Sequence, residues 1–129
     1  MNGKGRREDS EVRMAFSVFP PHTNHYRTLF GGTAMAWMDQ AAFICATRFC
    51  RRNVVTVHTG AIDFHQPVAE GSVVEVVARV LEVGRTSLRV CVEMFVEPLQ
   101  STERLLVCQG TFVLVAVDAA LKPVPLATP

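Results

Sequence analysis

The sequence predicts an α+β fold, with one long helix covered by an antiparallel sheet. Three observations predict it. The stretch from about Thr33 to Arg51 is rich in Ala and Met and contains no Pro or Gly, which favours a helix. Everything after Asn53 is instead rich in β-branched residues, in several long runs. The helical stretch is also apolar nearly all round, so it must be covered on most sides. One sheet curved around it does this.

The elements follow in order. Residues 1–11, MNGKGRREDSE, are polar and carry both signs of charge, with no apolar core of a secretory signal. They read as a disordered lead-in to a cytoplasmic protein, and residues 12–129 as a single domain. Met14 to Phe19 is a short strand stopped by Pro20-Pro21, and a loop runs on through Leu29. Gly31-Gly32 opens the helix. Arg48, Arg51 and Arg52 close it, where cations suit the negative end of the helix dipole. Four strands are then expected: Val54 to Phe64, Val73 to Val83, Ser87 to Val96 and Leu105 to Val117. Pro67 with Gly71, Gly84-Arg85, and the polar stretch Pro98 to Glu103 separate them. Leu88, Val90, Val92 and Met94 alternate with Arg89, Cys91, Glu93 and Phe95, giving one dry and one wetter face.

Composition excludes several classes of function. A chain of 129 residues fits one domain, and its net charge of +1 provides no field for nucleic acid or an anionic membrane. No apolar run approaches the length that spans a bilayer. Cys45, Cys50, Cys91 and Cys108 form no CxxC pair and read as buried reduced thiols. His22, His25, His58 and His65 are scattered and make no metal site; His22 and His25 read as solvated loop residues.

Asp39 stands out. It is the only ionisable acid or base between Thr33 and Thr47, with no Arg or Lys at helical spacing to neutralise it. It either sits on a wetted helix face, ties down a loop, or acts as a general base or nucleophile in an apolar pocket, where partial desolvation makes it a stronger base. Phe30-Gly31-Gly32 is a simple turn or an anion site, since free N–H groups and the positive dipole end sit at a helix start. Gly32 and Asp39 lie on nearly the same face but roughly 10 Å apart along the axis. A site using both is easier to build across two subunits, which predicts a dimer. Asn24, in the proline-flanked loop, is either turn chemistry or a group that holds a water or polarises a carbonyl.

Together these residues resemble the acyl-CoA thioesterases of the hotdog superfamily, in the branch of bacterial acyl-CoA thioesterases and brain-type acyl-CoA hydrolases. The resemblance runs from about Val18 to Pro125 through PPHTNHYRTLFGGTAMAWMDQAA, VVTVHTGAIDFHQPVAEGSVV, VLEVGRTSLRVCVE and FVLVAVDAALKPVPL. It implies a hotdog fold paired into dimers, and often tetramers or hexamers, with the active site at the dimer interface. It implies that Asp39 is the catalytic acid on the helix. Asn24 works with it across the interface, and the Gly32 N–H polarises the thioester carbonyl. Gly31, Gly60, Arg85, Thr86 and Ser87 are implied on the substrate side, with Arg85 towards the nucleotide. Coenzyme A enters as part of the substrate, and no other cofactor or metal is implied. One departure is visible: related sequences often read Val-Asp where this chain has Thr59-Gly60, so Gly60 supplies no carboxylate.

Two rival readings share the fold. A non-catalytic acyl-CoA sensing module would bind without turnover, but a retained Asp39 argues against it. A hydratase or dehydratase would need a His base, and none of the four histidines falls in the expected order.

Overall fold

The computed structural model describes residues 10–100 and 102–126. Most of the expected lead-in, residues 1–9, lies outside the described residues. Its last two positions are held against the fold. The buried Ser10 carbonyl accepts from Cys45 Sγ at 3.0 Å, and Glu11 pairs with Arg13 and Arg79.

The chain forms β1 (Val12–Ser17), a 3-10 turn (Pro20–His22), α1 (Gly31–Cys50), β2 (Val54–Thr59), β3 (Asp63–Phe64), β4 (Val73–Val83), β5 (Ser87–Glu97) and β6 (Leu105–Ala116). The strands make one antiparallel sheet in the order β1-β4-β5-β6-β2, with β3 pairing the far half of β6. β1 and β2 are therefore the edges. α1 packs on one face of the sheet, as the composition of the two halves predicts.

Alternation decides which face is dry. Leu88, Val90, Val92 and Met94 are fully buried against α1, together with Val74, Val76 and Ala78 of β4 and Phe112, Leu114 and Ala116 of β6. From the helix come Ala34, Met38, Ala41, Ala42, Cys45, Ala46 and Phe49. Each fully buried Val, Leu or Met contributes about 1.5–3 kcal/mol. The small helix residues bring α1 close to the sheet.

Several boundaries differ from the sequence reading. β1 runs Val12–Ser17 rather than Met14 to Phe19, and β5 and β6 end at Glu97 and Ala116, one residue from the expected Val96 and Val117. α1 starts at Gly31 rather than Thr33, because the first turn asks little of helix propensity; it ends at Arg51 in a left-handed conformation (φ 55°), whose N–H reaches the Thr47 carbonyl. The single strand expected from Val54 to Phe64 is broken in two. A bulge between Thr56 and His58 shifts register, and the pairing with β6 ends at Thr59, with the Gly60 N–H still donating to the Thr111 carbonyl. Ile62 then packs over Gly110, where an added Cβ would come within 2.8 Å of Ile62 Cγ1.

Candidate active site

Asp39 leaves α1 towards the sheet edge at β2. Thr56 pairs with the buried Leu114, so its side chain faces the helix, and its Oγ1 donates to Asp39 Oδ1 at 2.7 Å. Asp39 Oδ2 has no hydrogen-bond partner, and Asp39 makes no ion pair, among the described residues. The carboxylate is thus fixed through one oxygen and open at the other. Among the described residues no strand lies beyond β2; Asp39 is half-buried and Thr56 is exposed.

The surface around this pair is apolar. Met35, Ala36, Asp39, Gln40 and Phe43 share one side of α1 at helical spacing, and Met35 and Phe43 are 39% and 45% exposed. Val57, the bulged residue on β2, is 56% exposed. A strand edge with free backbone groups therefore runs beside an uncovered apolar helix face.

Asn24 has a defined geometry. Its Oδ1 accepts from the Tyr26 N–H (2.9 Å), the Thr28 N–H (3.2 Å) and Thr28 Oγ1 (3.2 Å). Two backbone donors on one atom identify it as the oxygen. The turn chemistry considered for this residue is thus present. It also leaves the amide NH₂ without an acceptor among the described residues, so Asn24 is held as a hydrogen-bond donor. His22, expected to be a solvated loop residue, is instead structural. Its Nδ1 accepts from the Phe19 N–H at 3.0 Å, and its ring meets Trp37 edge-on at 5.0 Å.

At the start of α1 the N-cap is Phe30, which has no capping side chain. The first intrahelical bond from this turn is Ala34 N–H to the Phe30 carbonyl. The Gly31 and Gly32 N–H groups therefore have no acceptor within the described residues. A Cβ at Gly32 would meet nothing within 4 Å, so the approach to its backbone is open. Within the chain neither Gly32 nor Asn24 hydrogen-bonds to Asp39. Gly60 lies just past the end of β2, and a Cβ there would make only ordinary contacts with Thr111.

Arg85, Thr86 and Ser87 lie at the opposite end of α1. Gly84 donates to the Ser87 carbonyl at 2.8 Å, and a Cβ at Gly84 would come within 2.8 Å of Ser87 Oγ, so this turn is built on glycine. The Thr86 carbonyl accepts from Ala116, and the Arg85 carbonyl from Leu126. Arg52 Nε donates to the Leu126 carbonyl at 3.4 Å. These bonds gather the end of α1, the β4–β5 turn and the C-terminal segment at one place. Arg48, Arg51 and Arg85 are exposed there with no carboxylate partner among the described residues. Asp118 is the neighbouring acid, and its Oδ1 accepts from the Ala120 and Lys122 N–H groups in its own turn. By contrast Arg13, Arg79, Arg89 and Arg104 all pair with glutamates.

Thr56 is the site residue that sequence reasoning missed. Its signal is a hydroxyl at a helix-facing position of a valine-rich strand. The bulge at Val57 breaks the period that would have shown which way it faces. No group of three or more potential metal ligands occurs among the described residues, and no helix there is long and apolar enough to cross a membrane.

The family model of the thioesterase superfamily matches residues 26–103. An uncharacterised acyl-CoA thioester hydrolase of Bacillus subtilis, YkhA, is 38% identical over 119 residues, 92% of this chain and 69% of that protein. The acyl-CoA hydrolase of Staphylococcus aureus, solved with butyryl coenzyme A and coenzyme A, superposes with a TM-score of 0.88 at 33% identity, covering 92% of this chain and 73% of that one. Variants of that hydrolase have an asparagine, an aspartate or a threonine replaced by alanine. The three occur in the order and at the spacing of Asn24, Asp39 and Thr56 here. A hexameric broad-specificity acyl-coenzyme A thioesterase superposes with a TM-score of 0.85 at 31% identity, over 90% of this chain and 86% of that one.

Proposed function

The chain belongs to the thioesterase superfamily and has its hotdog fold, and from that premise we propose that it hydrolyses acyl-CoA to a free carboxylic acid and coenzyme A at a site shared by two copies of the chain. The observation that carries this reading is the Asp39 carboxylate, fixed through Oδ1 by Thr56 and open at Oδ2 beside an uncovered apolar face.

The site is assembled from two protomers. β2 of one copy pairs with β2 of the other, continuing the sheet and covering Met35, Phe43 and Val57. The pairing brings the start of α1 from one copy to Asp39 of its partner. It joins groups that lie roughly 10 Å apart within one helix. Hexameric relatives are consistent with further assembly of such dimers.

In the reaction, Asp39 takes a proton from water through Oδ2, and the water oxygen bonds to the thioester carbonyl carbon. The carbonyl oxygen becomes an oxyanion, which the Gly32 N–H stabilises with the positive end of α1. The Asn24 NH₂, available only as a donor, holds the carbonyl or the attacking water. Collapse of the tetrahedral intermediate breaks the C–S bond, and the proton held by Asp39 passes to the departing thiolate. Direct attack by the carboxylate, with an anhydride then opened by water, uses the same residues. Water is the only co-reactant on either route. The arginines at the end of α1, with Arg85, face the phosphates of the coenzyme A nucleotide.

Thiol release from a panel of acyl-CoAs tests the proposal. Catalytic release of coenzyme A is expected. Tight acyl-CoA binding without release from any substrate would identify a binding module instead.

A further inference from the structure

A cavity of about 390 Å³ opens beside the start of α1 and runs into the protomer. Its volume is in the range of small-ligand sites. At the mouth are Gly31 and the half-exposed Phe64, with His65 and Gln66 on the rim. The inner wall is Leu29 and Ala34, and the floor is Met94, Val107 and Cys108. The three floor residues are buried, and Cys108 Sγ rests 3.5 Å from Sδ of the fully buried Met38, so packed core closes the cavity. Polar groups sit at the mouth and apolar ones within.

We propose that this cavity receives the acyl chain and that Cys108, with Met94 and Val107, sets the longest chain accepted. The proposal rests on the thioesterase reading above. Gly31 is part of the cavity wall, and the free Gly32 N–H is its neighbour. A carbonyl oxygen held by that N–H places its alkyl chain at the mouth. The chain therefore enters the protomer that supplies the N–H, while the attacking base comes from the other protomer. A closed apolar floor selects unbranched aliphatic chains up to a limit. At about 390 Å³ the cavity is sized for a medium-length alkyl chain and not for the longest ones. Each methylene added before the floor is reached tightens binding about fourfold.

The test is the ratio of kcat/KM values across acetyl-, butyryl-, octanoyl- and palmitoyl-CoA. For the unmodified chain, kcat/KM rises from acetyl to octanoyl and falls at palmitoyl. Cys108→Phe, which fills the floor, lowers the octanoyl-to-butyryl ratio at least tenfold. Val107→Ala, which opens it, raises the palmitoyl-to-octanoyl ratio. Opposite shifts from filling and opening cannot come from loss of stability, and the second variant suffices if the first does not fold. Turnover with a flat profile, or ratios unchanged in a folded variant, overturns this assignment and leaves the thioesterase reading standing. Absence of thiol release from every substrate defeats that reading itself.

Discussion

Thr56 Oγ1 donates a 2.7 Å hydrogen bond to Asp39 Oδ1, tying the edge strand β2 to the middle of α1. The bond fixes the carboxylate through Oδ1 and leaves Oδ2 without a hydrogen-bond partner among the described residues. Thr56→Val keeps the shape and removes the donor. A hydrogen bond to a charged group is worth about 1.5–3 kcal/mol, so kcat falls by about tenfold or more with little change in KM. Thr56→Ser retains most of the rate. Steady-state kinetics of the two variants check this, and equal loss in both contradicts a role for the hydroxyl.

A site shared between two copies, as proposed, predicts complementation. Asp39→Asn and Asn24→Ala proteins are each expected to be nearly inactive. Unfolded together and refolded as a mixture, half of the dimers formed are mixed, and each mixed dimer carries one intact site. Activity then returns to about a quarter of that of the unmodified protein. No recovery in mixed dimers confirmed by mass would place both groups in one protomer.

Val57 is 56% exposed on β2, where the second copy is expected to pair. A lysine on an unpaired edge discourages strand addition. Val57→Lys should shift the protein towards monomer in sedimentation and lower activity in parallel. An active Val57→Lys monomer would contradict the interface.

Arg85→Glu places a carboxylate among exposed cations at the end of α1. Reversing a charge at the proposed phosphate contact should raise KM for acyl-CoA by about tenfold at low salt and flatten its dependence on salt, because salt then screens less attraction. Thioesters of a short thiol without phosphates should be hydrolysed as by the unmodified protein. Equal effects on both substrates would place Arg85 away from the nucleotide.

Burial pushes the Cys45 and Cys108 thiols up from 9.0 to about 11 in the folded chain. Below pH 9 both states keep these protons, and the contribution to stability is fully present. Above it the unfolded chain loses protons that the folded chain retains, so stability declines as pH rises from about 9 through about 11. Tm measured over that window falls, and falls less in a Cys45→Ala, Cys108→Ala double variant. An identical slope in both proteins would contradict the assignment.

The fold was legible because two patterns do not conflict: an Ala- and Met-rich stretch for one helix, and β-branched runs for the sheet. Val73–Val83 has the boundaries the sequence indicates, since Gly71 and Gly84 mark both ends. The β2–β3 segment was not legible. Its bulge and the end of its pairing at Thr59 are fixed by the register with β6 and by Ile62 over Gly110, contacts between residues far apart in the chain. Asp39 could be seen from the sequence because an isolated carboxylate among apolar helix residues demands a reason. Thr56 could not, because only the register of β2 aims it at Asp39. The donor role of Asn24 was hidden as well, since it depends on which turn consumes its oxygen.

Thiol release from butyryl-CoA by the unmodified protein and by Asp39→Asn decides whether Asp39 is the base, with acyl-CoA binding measured alongside. Removing a general base of this kind costs about 10²-fold or more. The expected result is a kcat lowered by at least that factor, with the fold and binding retained. A loss of less than tenfold would contradict it.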